Sequence, residues 1–189
     1  MKILELETNT QLHLTLSELE AGLDYIKQSP KNNGTLDSIV IRPEIDKRIV
    51  VAECEMSPKQ GVHGDNWSSR PKVDPGAQVT LMNSRTVALL ARTKDRWALA
   101  GDQLYVDFDL SQDNLQPGQK VFIGSVILEV SDKPHTGCAK FAERFGTVAH
   151  KFVNSKAGSH LHLRGINAVV VQTGKVKVGD LMVKIHSQP

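Results

Sequence analysis

The sequence is short of several things at once. It has two cysteines in 189 residues, too few for a disulfide framework. That excludes a stapled extracellular scaffold and makes a reducing compartment, the cytoplasm, the expected location. It has no apolar run of about 18 residues, so no membrane-spanning helix is expected. Acids interrupt the opening Met-Lys-Ile-Leu-Glu-Leu-Glu, so no signal peptide is expected there either. Aromatic residues are scarce at 5% and are not interleaved with a basic stripe. The formal net charge is only +2, with a pI near 8.5, too mild a basicity to imply a nucleic-acid partner. What is present is 40% hydrophobic and 23% charged, the composition of an ordinary globular domain long enough to close a core.

Along the chain, Thr15-Leu-Ser-Glu18 reads as a capping box opening a short helix with Leu16, Leu19, Leu23 and Ile26 on one stripe. Residues 35–42 and 47–55 read as a hairpin turned at residues 43–46. Gly61-Val-His-Gly64-Asp65-Asn-Trp67 reads as a tight turn whose acid has a hydrogen-bonding role. Asn83 is expected to cap a helix over residues 84–91. Residues 101–110 alternate Leu104, Val106 and Phe108 against Gln103, Tyr105 and Asp107, a strand with one buried face. Residues 121–130 read as a hairpin about Gly124-Ser125, and residues 165–171 as the strongest strand. Strands outnumber helices and arrive at short spacing. The expected class is therefore mainly β with short helices, a closed or nearly closed barrel rather than a doubly wound sheet. Residues 1–34 are expected to form an N-terminal helical extension packed on a domain of residues 35–189.

Residues 132–164 concentrate the chemistry. They hold Cys138, six Lys or Arg against two acids, and four of the seven histidines. Pro134 and Gly137 exclude a helix before Cys138, whereas Ala139 to Phe145 has helical patterning and Gly146 ends it. With Thr136 as N-cap, Cys138 falls in the first turn, where a thiolate is favoured as nucleophile or metal ligand. Lys140 and Arg144 share one helix face. Lys140 points away from the thiol, so Arg144 and Arg164 are the stronger candidates for an anionic ligand.

One ordered set of fragments carries a resemblance: Gly61-Val-His-Gly64-Asp65, Gln78-Val-Thr-Leu81, Gly101-Asp102, Leu115-Gln-Pro-Gly118, Ile123-Gly124, Leu128-Glu-Val130, His135-Thr-Gly-Cys138-Ala-Lys-Phe141, Arg164-Gly165-Ile-Asn-Ala168 and Val178-Gly179-Asp180. In order and spacing it resembles the MOSC domain, named for the C-terminal part of molybdenum cofactor sulfurase, in its small stand-alone bacterial form. The resemblance spans about residues 36–185. It implies a barrel related to the pyruvate kinase insert barrel, and a molybdenum cofactor (Mo-pterin) held by a catalytic cysteine, here Cys138, which carries sulfur or ligates the metal. Arg164, Arg144, His135, Thr136, Lys140 and Asp65 are the expected cofactor-binding residues. Pyridoxal phosphate would enter only through a separate cysteine desulfurase partner, since the chain has no room for that domain. Reduction of N-hydroxylated compounds, as in some relatives, would need an electron-transfer partner.

Three other readings stand beside this one. His160-Leu-His162 would put two imidazoles on one side of a strand, and with Cys138 could form a zinc-type hydrolase site. His135 could activate Cys138 as a nucleophile. A basic pocket could serve as a non-enzymatic binding module for a phosphate-bearing ligand.

Overall fold

Among the described residues nine strands form one sheet, and seven of them close on themselves. The structure, a computed structural model, describes residues 2–4 and 10–186, with side chains from residue 10 onward. The expectation about a signal peptide rests in part on residues 1 and 5–9, which lie outside the described residues. The strands are β1 (Lys2–Leu4), β2 (Asn33–Ile41), β3 (Arg48–Val51), β4 (Glu53–Ser57), β5 (Gly61–Val62), β6 (Val79–Asn83), β7 (Leu104–Asp107), β8 (Lys120–Ile123), β9 (Val126–Val130), β10 (Ile166–Gln172), β11 (Gly174–Lys177) and β12 (Leu181–Ile185). The closed ring runs β2-β12-β8-β9-β10-β6-β7 and back to β2. Every pairing in it is antiparallel except β6 with β7. Closure depends on the length of β2: Thr35 to Ile39 pairs with β7, residues 33–35 pair with β12, and residues 39–41 pair with β3. A smaller sheet, β11-β4-β5, lies beside the barrel.

Two apolar cores follow from two-sided strands. Leu36, Leu81, Val106, Phe108, Leu128, Ile166 and Met182 fill the barrel. The second core lies between the barrel wall and the helices. Val40, Met82 and Tyr105 face outward from the barrel against Leu19, Val87, Trp97, Phe141, Phe145 and Phe152. Burying each such large side chain contributes about 1.5–3 kcal/mol. The expected one-sided alternation at residues 101–110 therefore fails. Tyr105 and Gln103 are as buried as Leu104 and Val106, because helices cover the outer face. Tyr105 keeps its polarity satisfied by donating its hydroxyl to the carbonyl of Trp97 at 2.8 Å.

The helices are short. The capping box at Thr15 and Glu18 forms as expected and opens α1 (Leu16–Ala21), but Gly22 separates it from α2 (Leu23–Lys27). Asn83 caps α3 (Ser84–Ala91), accepting from the N–H groups of Arg85 and Thr86. Next come α4 (Ala139–Phe145), α5 (Thr147–Val153) and α6 (Lys156–His160). The turn after α6 requires Gly165. Its φ is +102°, and a Cβ there would lie 2.1 Å from the carbonyl oxygen of Leu81, so only glycine lets this turn lie against β6. Among the described residues, no helix is long and apolar enough to cross a membrane.

Candidate functional site

A four-residue strap, residues 99–102, organises the charged side chains. It begins in the last two residues of a 3-10 segment (Lys94–Ala100) and turns at Gly101, whose φ is +89°. Three successive carbonyls on it each accept from a different arginine. Leu99 takes Arg144 Nη1 at 2.9 Å, Ala100 takes Arg164 Nη2 at 2.9 Å, and Gly101 takes Arg42 Nη1 at 3.0 Å. The fourth residue, Asp102, is fully buried and bridges two partners: Arg164 Nη1 donates to Oδ2 at 2.6 Å and His135 Nε2 meets Oδ1 at 2.8 Å. Burial alone would raise the Asp102 carboxyl, but Arg164 and His135 outweigh it and hold it below the usual carboxylate range. Burial, reinforced by Arg164, pushes the His135 imidazole down despite Asp102.

The outer charges are held in turn. Asp65 is buried and fully engaged. It accepts from Arg42 Nε at 2.8 Å, from Arg42 Nη2 and the Arg42 backbone at 3.1 Å each, and from the Trp67 N–H at 3.0 Å. Its four bonds position Arg42 and close the Gly61-to-Trp67 turn. Asp46, on the loop between β2 and β3, accepts from Lys140 Nζ at 2.7 Å and from Arg144 Nη2 at 3.0 Å. Arg48 is buried and gives Nη1 to the Lys47 carbonyl, while its Nε has no partner. Burial, then the neighbouring Arg144 and Arg42, lower its guanidinium pKa.

Two openings flank this framework. A cleft of about 510 Å³ is lined by Arg42, Arg48, Arg70, Lys72 and Lys140, with Glu44 and Asp46 as its only acids. A more enclosed cavity of about 350 Å³ includes His135, Thr136 and Arg164 in its wall. Cys138 lies between the two along the chain, two residues after Thr136 and two before Lys140, and it is exposed. The loop carrying it is clamped from α5. Asn154 Oδ1 accepts from the Gly137 N–H at 2.9 Å, and the Gly137 carbonyl meets His150 Nε2 at 2.9 Å and Asn154 Nδ2 at 3.1 Å. A Cβ on Gly137 would come within 3.1–3.3 Å of Asn154, His150 and Val153, so a side chain there would shift the thiol loop. The other cysteine, Cys54, is buried on β4 of the smaller sheet, where burial pushes its thiol up to about 12.

The sequence-derived candidates thus separate into groups. Arg164 and His135 share Asp102 and, with Thr136, line the cavity. Lys140 lines the cleft, and both Lys140 and Arg144 hold Asp46. Asp65 reaches the site only through Arg42. Two expectations need correction. Thr136 is not the N-cap of α4; Cys138 itself is, with an extended backbone and no capping bond from its side chain. His160 and His162 are not on a strand. His160 ends α6 and pairs with Asp113, and His162 turns at a φ of +48° with Nδ1 against the Leu110 carbonyl. Among the described residues no group of three His, Cys, Asp or Glu side chains could hold a metal ion, so the zinc-type constellation does not form. Nor does any described hydrogen bond join His135 to Cys138; the histidine is turned to Asp102. Arg42, Arg48 and Asp102 were missed as site residues. Only the Gly101-Asp102 pair stood out locally, because their partners are remote in sequence.

The sequence profile of the MOSC domain matches residues 59–183. Among solved structures, the chain is similar to YiiM from Geobacillus stearothermophilus, with 16% identity and a TM-score of 0.58 over 81% of this chain and 75% of that one. YiiM from Escherichia coli shares 19% identity with a TM-score of 0.54, over 82% and 71%. The YUAD protein from Bacillus subtilis shares 13% with a TM-score of 0.52, over 82% and 97%. At these identities the likeness is one of fold. No curated protein matches the chain.

Proposed function

The chain belongs to the MOSC domain family, and from that premise we propose that it binds a molybdenum cofactor, with Cys138 as the sulfur ligand of the metal. The family is associated with that cofactor, and the residues present suit it. A molybdopterin is anionic at its phosphate and soft at its metal. Arg42, Arg48, Arg70, Lys72 and Lys140, which is two residues past Cys138 in the chain, line the cleft, and cations of this kind hold phosphate. A thiolate is the soft donor that such a metal takes. The buried Nε–H groups of Arg48 and Arg164 have no partner in the protein, and an incoming acceptor would satisfy them. When bound, the cofactor supplies a redox-active metal centre. The chain supplies the rest. Asp65 holds Arg42, the strap holds Arg144 and Arg164, and Asn154 and His150 hold the loop that presents the thiol.

The observation that carries this reading is the exposed Cys138 on the chain segment that runs from the cavity wall at Thr136 to the cation-lined cleft at Lys140. The enclosed cavity favours chemistry on a small molecule, so the finer activity we propose is reduction of N-hydroxylated compounds, with electrons from a separate electron-transfer protein. A second reading, sulfur carriage for a cysteine desulfurase partner, draws on the exposure of the thiol. The test is metal analysis and pterin fluorescence on protein produced in a cofactor-competent host. Bound molybdenum and pterin are expected in the wild type. Molybdenum should be lost from Cys138→Ala, and pterin retention should weaken in Lys72→Glu, an exposed change that leaves the fold intact. Absence of both metal and pterin from the wild type would sink the proposal.

A further inference from the structure

The helices cover the barrel on one side. Outward side chains of β2, β6 and β7 are buried in the second core. On β12, β8, β9 and β10, alternate residues point into the barrel, among them Met182, Val121, Leu128 and Val170. The residues between them therefore face outward. On a bare sheet face these positions are ordinarily polar. Here Leu181, Ile185, Phe122 and Val171 are exposed, and Val183, Ile127 and Val169 are half-buried. A continuous apolar face of this kind marks a contact surface.

The strand register arranges that face in two rows. In the first, Val183 lies opposite Phe122, Phe122 opposite Ile127, and Ile127 opposite Gln172 beside the bulge at Val171. In the second, Ile185 lies opposite Lys120, Lys120 opposite Glu129, and Glu129 opposite Val169. Lys120 and Glu129 stand 3.6 Å apart and are both partly exposed. That is too long for a hydrogen bond, so each charge has capacity for another partner. The face thus carries its own complement. A two-fold axis running along the strands between β8 and β9 exchanges left for right and leaves each row in place. It sets Phe122 over Ile127 of a second copy, Lys120 over that copy's Glu129, and Ile185 over its Val169. An axis running across the strands would instead lay the apolar row on the charged one. A groove of about 450 Å³ is lined by Glu129 and Val169, with Pro117 and Asp132. The first arrangement points Lys120 and Ile185 of the second copy at this recess, and Asp132 adds a second carboxylate to receive the lysine.

We infer that this bare barrel face joins the chain to a second copy of itself in a symmetric dimer, with Phe122 on Ile127 and Lys120 on Glu129 across the axis. The inference goes beyond the cofactor reading and does not rest on it, since none of these side chains lines the cleft or the enclosed cavity. Four strands about 4.8 Å apart and some five residues long give roughly 300 Å² of flat face per copy. That is small for a specific interface, so the dimer is reversible, with a dissociation constant of roughly 10–100 μM.

The test is analytical ultracentrifugation of the full chain across a concentration series that spans this range. The wild type is expected to pass from monomer to dimer. Phe122→Gln, an exposed change, should keep the chain monomeric while leaving its thermal midpoint unchanged. Lys120→Glu and Glu129→Lys should each weaken the dimer at least about tenfold, because like charges then meet at two symmetric places. An equimolar mixture of these two variants should dimerise as the wild type does, since each charge on one variant faces its opposite on the other. A role confined to the ion pair within one chain gives no such recovery. A monomer at every concentration, a dimer indifferent to Phe122→Gln, or a mixture no better than its components would overturn the inference. None of these readouts involves molybdenum, so failure here and failure of the cofactor reading are separate results.

Discussion

Asp102 shows what one carboxylate does at this site. It is shared by Arg164 and His135, and it has no exposed surface. Removing one partner of such a buried pair costs about 3–5 kcal/mol, because the remaining charges stay buried without a counter-charge. The same geometry sets a pH dependence. The His135 pKa lies below its ordinary 6.5. As the pH falls below that value the unfolded chain takes up a proton that the folded chain resists, so stability declines on acidification. Asp102, held below its ordinary 3.8, adds a second loss of the same sign at still lower pH. The thermal midpoint should therefore fall between about pH 7 and about pH 5, and His135→Gln should flatten that slope. An unchanged slope in the variant would show that other histidines carry it.

At the scale of elements, the loop between β2 and β3 carries its own anion into the basic cleft. Asp46 turns there at a φ of +61°, next to Ile45, which is 81% exposed. Its carboxylate holds Lys140 and Arg144, cations that an incoming phosphate would also seek. Asp46→Asn should tighten binding of inorganic phosphate about two- to fivefold, the scale expected when a half-exposed ion pair no longer competes. Calorimetric titration of the two proteins measures it, and a weakened affinity would show that Asp46 supports the cleft instead. Elements of this kind differ in how well they can be read from sequence. The Thr15 capping box, the Asn83 cap and the hairpin of β8 and β9 were legible because their signals lie within three or four residues. The closed barrel was legible from the spacing of strands. The β7 alternation was not, since a strand buried on both faces has no period to show. The site was legible only in part. Cys138 and Arg164 stood out in a basic segment, but Asp102 is 62 residues from Arg164 and Gly101 is 59 from Arg42. No local spacing records such pairs.

At the scale of the whole molecule, one framework separates two solvent-facing spaces of unlike character. The cleft carries a surplus of positive charge and the cavity carries none. Salt should weaken the cleft. Raising ionic strength shortens the range of exposed charges, to about 3 Å at 1 M, so phosphate affinity at the cleft should drop several-fold. Titrations across a salt series check this, and a flat slope would mean that the cleft's cations do not hold the anion.

The strap at residues 99–102 also constrains when the site can exist. Its three arginines come from positions 42, 144 and 164. A nascent chain that has emerged only through α3 and β7 has made the strap but not two of the three guanidinium groups that dock on it. The enclosed cavity cannot be complete until residue 164 has left the ribosome and folded back, whereas the lining of the cleft is made once Lys140 is. A product stalled soon after Cys138 would present the thiol without Arg144 and Arg164 docked on the strap.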